Sequence, residues 1–323
     1  MNKLYTNLRK ETRIIGPNPA YSTHSSAEAA HAGSPHITYR LNPRDGWNPD
    51  IHELRNKVKY NPNIGGILVV NPDNPTGAVF RKEILEEIVA IAREFDTFVI
   101  FDEIYSNMIF DERDRVELAD IIGDVPGIAM KGMSKEMPWP GGRCGWIEIY
   151  NKEADTNFSK YIDSIVNAKM LEVCSTTHPQ KVLPTLYSDV RFDQYLSQRK
   201  DKYQLRADRA IEILSDNPYI NVVKPKGSFY LTITFSEQWE KDNNLVIPQS
   251  VQDLVIAKTQ GAREDKRFVY QLIANKGICC VPLSEFNSDY DGIRLTLLQE
   301  DLEIFENTLH TISQTIYEYH GKQ

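Results

Sequence analysis

The sequence predicts an α/β fold, a mostly parallel sheet covered by helices, followed by a smaller C-terminal α+β domain. Three observations carry this reading. Short apolar runs end in Gly, Pro or polar residues, as strands buried on both faces do. A helical pattern separates the first two runs, the strand–helix–strand signature of a crossover-linked parallel sheet. After about residue 190 the alternation stops, and strands and helices follow one another irregularly.

The first clear strand is 66–70, closed by Asn71-Pro72. A helix is predicted over 82–95, with Ile84, Leu85, Ile88, Val89, Ile91 and Ala92 on one side. Residues 97–101 read as the second strand, ended by Asp102, and 127–130 as the third, running into Ser134 and Lys135. Residues 145–150 read as a fourth strand. Beyond them, 192–214 reads as one long helix, 221–223 and 228–235 as extended segments, and 236–249 as a polar loop. A helix over 262–276, apolar runs at 278–281 and 293–298, and a helix over 301–319 complete the chain. The expected division is a large domain over 1–190 and a small one over 191–323.

Composition narrows the function classes. Hydrophobic residues make up 41% and charged residues 25% of 323 positions, ordinary values for a globular protein. No apolar run approaches the roughly 18 residues that a membrane span needs. The first sixteen residues are polar and charged and lack the apolar stretch of a secretory signal, so a cytoplasmic location is expected. Cys144, Cys174, Cys279 and Cys280 lack paired-ligand spacing and read as reduced thiols. The net charge is −8 and no basic stretch interleaves with aromatics, which argues against nucleic acid as a main partner. The seven histidines are scattered without metal-ligand spacing, so ordinary surface or core roles are expected of them.

Ligands of open α/β sheets collect beyond the carboxyl ends of the strands. Three predicted strand ends carry unusual polar residues: Asn71-Pro72-Asp73-Asn74-Pro75-Thr76-Gly77, then Asp102-Glu103-Ile104-Tyr105, then Ser134-Lys135. Arg143 follows the lysine by eight residues and leads into Cys-Gly-Trp. Taken singly, the first is a rigid turn, the second a helix cap and the lysine a solvated side chain. Their order is more specific. Together they resemble the fold-type I pyridoxal-phosphate enzymes, and within them the class I/II aminotransferases. Weaker echoes flank the core: Pro17-Asn18-Pro19-Ala20-Tyr21, Gly46-Trp47, the segment from Pro225 to Tyr230, and Ile293-Arg294-Leu295.

The resemblance implies a large-domain fold of the pyridoxal-phosphate transferase type, the cofactor pyridoxal 5′-phosphate, and a site residue by residue. Lys135 would hold the cofactor as a Schiff base and then act as general acid and base. Asp102 would keep the pyridine nitrogen protonated. Tyr105 and Asn74 would bond the ring's phenolic oxygen, and Tyr21 would stack on the ring. Arg143 would take the phosphate, with Ser134 adding a hydroxyl. Arg294 would clamp the substrate α-carboxylate, with Asn74 beside it. The implied partners are an L-amino acid, a 2-oxo acid and a second copy in a homodimer. The resemblance also implies a cis bond between Asn74 and Pro75. A lyase or decarboxylase on the same scaffold, or a non-catalytic cofactor-binding remnant or regulator, are the other readings. Two departures stand out. Gly132 occupies the position where many relatives have Ser or Thr. The family's Gly-x-x-Glu-Ala turn, whose helix N-terminus holds the phosphate, has no room before Pro17. Weak cofactor binding by this chain is therefore expected.

Overall fold

The computed structural model describes residues 2–321. Seven strands form the main sheet: β1 (Arg13–Asn18), β2 (Thr38–Asn42), β3 (Asn48–Pro49), β4 (Ile64–Val70), β5 (Phe98–Asp102), β6 (Gly127–Gly132) and β7 (Gly145–Tyr150). Their spatial order is β3-β2-β1-β4-β5-β6-β7. β2, β1, β4, β5 and β6 run parallel, while β3 and β7 are antiparallel edge strands. The run at 145–150 is therefore a strand as expected, but it turns back beside β6 through a short connection instead of crossing over.

Period-two alternation splits the core between the two faces. Ile15, Ile67, Val69, Val99, Phe101 and Ala129 point to one face, where Leu54 and Val58 of α3 (Ile51–Tyr60) and Leu85, Ile88, Val89 and Ala92 of α4 (Lys82–Glu94) cover them. Ile14, Leu68, Val70, Ile100, Ile128 and Met130 point to the other. There they meet α1 (Asn2–Thr6) through Leu4 and Tyr5, and α7 (Thr156–Met170) through Phe158, Tyr161, Ile162 and Ile165. α2 (Ser22–Ala32) is tied to β1 by a paired contact: Arg13 Nε donates to Glu28 Oε1 at 2.5 Å and Nη2 to Oε2 at 3.0 Å.

The later part of the chain has its own antiparallel sheet, in the order β10-β11-β9-β8, with β8 at Ile220–Val222, β9 at Tyr230–Phe235, β10 at Val281–Pro282 and β11 at Gly292–Thr296. The long helix α9 (Phe192–Leu214), α11 (Glu264–Lys276) and α12 (Leu302–Tyr319) pack around it. Tyr105 and Met108, which follow β5, belong to this second core and join the two halves.

One contact sets the register between the halves. Gly77 lies at φ +72, and a Cβ there would stand 2.4 Å from the Tyr230 carbonyl oxygen and 2.5 Å from Pro225 Cβ. Only glycine permits that approach. The Gly77 carbonyl accepts from Lys226 N (2.9 Å) and Gly227 N (3.1 Å), and the Pro75 carbonyl accepts from Thr232 Oγ1 (2.8 Å). Among the described residues the cis peptide bonds are Asn18–Pro19 and Asn71–Pro72. The expectation for Asn74–Pro75 was wrong: that bond is not among them, and the Asn-Pro pair three residues earlier takes the cis form.

Candidate active site

The strand order reverses between β1 and β4, because the chain fills the sheet leftward first and then rightward. At such a switch point, beyond the carboxyl ends of the strands, open α/β sheets bind their ligands. Tyr21 follows β1, Asn74 follows β4, Asp102 ends β5, and Lys135 sits on the short helix α6 (Met133–Glu136) directly after β6. Arg294 reaches the same region from β11 of the second sheet.

Asp102 is 6% exposed and held on both oxygens. Oδ1 accepts from Ile104 N at 3.2 Å, and Oδ2 lies 2.9 Å from His24 Nε2. Tyr105 is buried, and its hydroxyl donates to the Tyr230 hydroxyl at 3.2 Å. Burial first, then the neighbouring Tyr230, pushes the Tyr105 phenol well above its ordinary value, so it stays protonated.

The Lys135 amine is half-buried, 5.8 Å from the Phe229 ring centre and 5.9 Å from that of Tyr105. Its pKa is lowered, mainly by loss of solvation and next by the positive charge of Arg294, with Asp102 opposing. A lysine in such surroundings holds a larger share of reactive neutral amine near neutral pH. Arg294 is also lowered by desolvation. Its guanidinium carbon lies 4.5 Å from the Tyr230 ring centre and 4.8 Å from that of Phe286, and Nη1 donates to Asn74 Oδ1 at 3.1 Å. Nε is buried with no protein acceptor. A cation set against two rings, with a donor that has no protein partner, is suited to receive a carboxylate.

Tyr21 stands at the start of α2, its ring edge-on to His24 at 6.0 Å. It is close enough to Tyr105 and Arg294 to act on both electrostatically. Ser134 is half-buried beside Lys135. Arg143 is exposed, in a left-handed turn (φ 51), and its Nη1 donates to the Pro140 carbonyl at 3.0 Å, a bond within its own turn. The structure thus gathers Lys135, Asp102, Tyr105, Asn74, Arg294 and Tyr21, whereas the hydrogen bond of Arg143 is local.

Three participants escaped the sequence reading. Tyr230 appeared only as a landmark, yet it touches both Tyr105 and Arg294. His24, expected to be an ordinary histidine, bonds Asp102. Its spacing of three from Tyr21, which puts both on one side of α2, was the available signal. Tyr5, whose hydroxyl lies 2.8 Å from His24 Nδ1, gave no signal at all.

The model of the family described as aminotransferase class I and II matches residues 4–305. An uncharacterised aminotransferase of Methanocaldococcus jannaschii is 46% identical over 319 residues, covering 98% of this chain and 74% of its own length. The glutamate-pyruvate aminotransferase of Escherichia coli is 28% identical over 225 residues, 69% of this chain, and only 54% of its own length is spanned. Among solved structures, an alanine aminotransferase from Pyrococcus furiosus superposes with a TM-score of 0.82 at 26% identity, covering 98% of this chain and 73% of that one. With a site of this composition at the switch point and a family match along nearly its whole length, the chain belongs to the class I and II aminotransferases, a family of pyridoxal-phosphate-dependent enzymes.

Proposed function

We propose that this chain binds pyridoxal phosphate through Lys135 and moves an amino group between an L-amino acid and a 2-oxo acid. The observation that carries the reading is the meeting, beyond the strand ends, of a lysine with lowered pKa, a buried carboxylate and an arginine set against two rings with an unpaired donor. The donor set fits the cofactor at its ring end. Lys135 supplies the amine, Asp102 the buried acceptor for the ring nitrogen, Tyr105 and Asn74 the polar groups for the phenolic oxygen, and Tyr21 an aromatic face. At the phosphate end Ser134 and Arg143 are the candidates.

When bound, the cofactor supplies a ring that accepts electrons from the substrate's Cα. The protein's part is proton placement and orientation. Asp102, fixed by Ile104 N and His24, holds a proton on the ring nitrogen. The phenol of Tyr105, whose single proton meets Tyr230 here, would turn that proton to the phenolic oxygen, with Tyr230 then donating to Tyr105 in its place. Arg294 binds the substrate α-carboxylate and so aims the Cα proton. The Lys135 amine takes up and returns that proton as general base and acid. Asn74, already bonded to Arg294, keeps the clamp and the ring in one frame.

The remaining parts of this reading are a homodimer, a cytoplasmic location and a boundary near residue 190 between a large and a small domain. Among the described residues no helix is long and apolar enough to cross a membrane. The name of the E. coli relative makes alanine, glutamate, pyruvate and 2-oxoglutarate the first compounds to try. A panel of amino donors assayed with the two oxo acids tests the proposal: amino transfer from at least one donor is expected. Loss of carbon dioxide or elimination without amino transfer would overturn it.

A further inference from the structure

We infer that Tyr5 is a positioning residue for Asp102, acting through the imidazole of His24. The inference rests on the reading of Asp102 as the partner of the cofactor ring and adds a residue to it. Three elements meet in one buried line: Tyr5 on α1, His24 on α2 and Asp102 at the end of β5. Tyr5 and His24 are both 0% exposed. The Tyr5 hydroxyl lies 2.8 Å from His24 Nδ1, and His24 Nε2 lies 2.9 Å from Asp102 Oδ2.

The carboxylate fixes the direction of one bond, and the inference assigns the other. An ionised carboxylate only accepts, so Nε2 must carry the hydrogen that meets Oδ2. In the neutral tautomer assigned here Nδ1 presents its lone pair and the Tyr5 hydroxyl donates to it, whereas a doubly protonated ring would reverse that bond. Burial raises the Tyr5 phenol well above its ordinary value, with Tyr161, Asp102 and Glu28 adding in the same direction, so the donor keeps its proton. In that tautomer both ring nitrogens are committed. The carboxylate keeps its full negative charge for the ring nitrogen. Pinned at both ends, the imidazole cannot turn about its own axis, and Asp102 Oδ2 is held with it. The Tyr5 ring lies in the core beneath the sheet beside Leu4, Ile14 and Tyr161. Phenylalanine would fill that space equally well. The hydroxyl serves the histidine.

The test is nitrogen NMR of the full 323-residue chain labelled in its histidines, without added cofactor, so that its outcome does not depend on enzyme activity. The His24 signals are identified by their loss in His24→Gln. The expected result is a protonated Nε2 and a lone-pair Nδ1 displaced by hydrogen bonding. Tyr5→Phe should move the Nδ1 signal to the range of an unbonded lone pair. Tyr161→Phe, which removes a neighbouring hydroxyl bonded to the Leu4 carbonyl, should leave it in place. In the cofactor-loaded protein, Tyr5→Phe should lower kcat about two- to ten-fold, the equivalent of one neutral hydrogen bond, with KM for the amino donor unchanged. A protonated Nδ1 in the unaltered chain, or an Nδ1 signal indifferent to Tyr5→Phe, would overturn the inference. So would an equal displacement by Tyr161→Phe, which would reduce Tyr5 to packing. Absence of amino transfer with the expected NMR result would count against the proposed function alone.

Discussion

Replacing Arg294 by methionine separates binding of the substrate carboxylate from the rest of the site. The guanidinium lies between the rings of Tyr230 and Phe286, and methionine, long and flexible, fits the same slot. A carboxylate received by the planar fork makes two charge-assisted hydrogen bonds, each about 1.5–3 kcal/mol. Their loss amounts to about 3–6 kcal/mol, so kcat/KM for an amino acid should fall roughly 10²- to 10⁴-fold. Arg294→Lys keeps the charge but not the fork and should fall between the two. The change also leaves Asn74 Oδ1 without its donor, at a cost of about 1–3 kcal/mol, and the thermal midpoint should drop by several degrees. Stability and clamping are told apart with an amine that lacks a carboxylate, whose reaction should change less than about tenfold. The assay is initial-rate kinetics for both substrates on both variants. A value of kcat/KM within tenfold of the unaltered chain, or an equal loss with the carboxylate-free amine, would refute the assignment of Arg294.

Other outcomes follow from the same geometry. Because Arg294 helps to hold the Lys135 pKa down, Arg294→Met should move the pH at which Lys135 reacts with a carbonyl reagent upward, as labelling rate against pH would read. Asp73 is pushed up to about 7 by burial, against the hydrogen bonds from Thr76 and Asn74. A carboxyl raised in the fold binds its proton more tightly there than in the unfolded chain. Its contribution is full below about pH 4 and is lost as the pH climbs to 7. Thermal midpoints should fall over that interval, and Asp73→Asn should flatten the decline. At the phosphate end, Arg143 is turned to its own loop, so pyridoxal phosphate should outbind pyridoxal by no more than about a hundred-fold, the worth of a single charge-assisted contact. Competitive titration of the two compounds measures the ratio.

The central strands were legible because β4, β5 and β6 are continuous apolar runs, the pattern of strands covered on both faces. β1 was not, since only Ile14 and Ile15 are apolar before Gly16-Pro17-Asn18, although it lies at the middle of the sheet. β2 and β3 are too short and mixed to announce themselves. The reversal of β7 left no mark, because composition does not encode the direction of a neighbour. The cis form falls at Asn18–Pro19 and Asn71–Pro72 and not at Asn74–Pro75, because every Asn-Pro pair carries a similar local cost and the surrounding fold selects among them. Lys135, Asp102, Tyr105 and Asn74 were legible as ordered motifs after predicted strands, and Arg294 as part of a motif within an apolar run. The contact of His24 with Asp102 and that of Tyr230 with Tyr105 span 78 and 125 positions. Only folding brings such pairs together, and no local pattern reports them.

The central claim is that Lys135 is the amine that holds pyridoxal phosphate in this chain. Borohydride reduction of the cofactor-treated protein followed by peptide mapping tests it most directly. The label is expected on the peptide containing Lys135, and it should vanish in Lys135→Ala while the fold persists. A label on any other lysine, or none after saturating cofactor, would contradict the account.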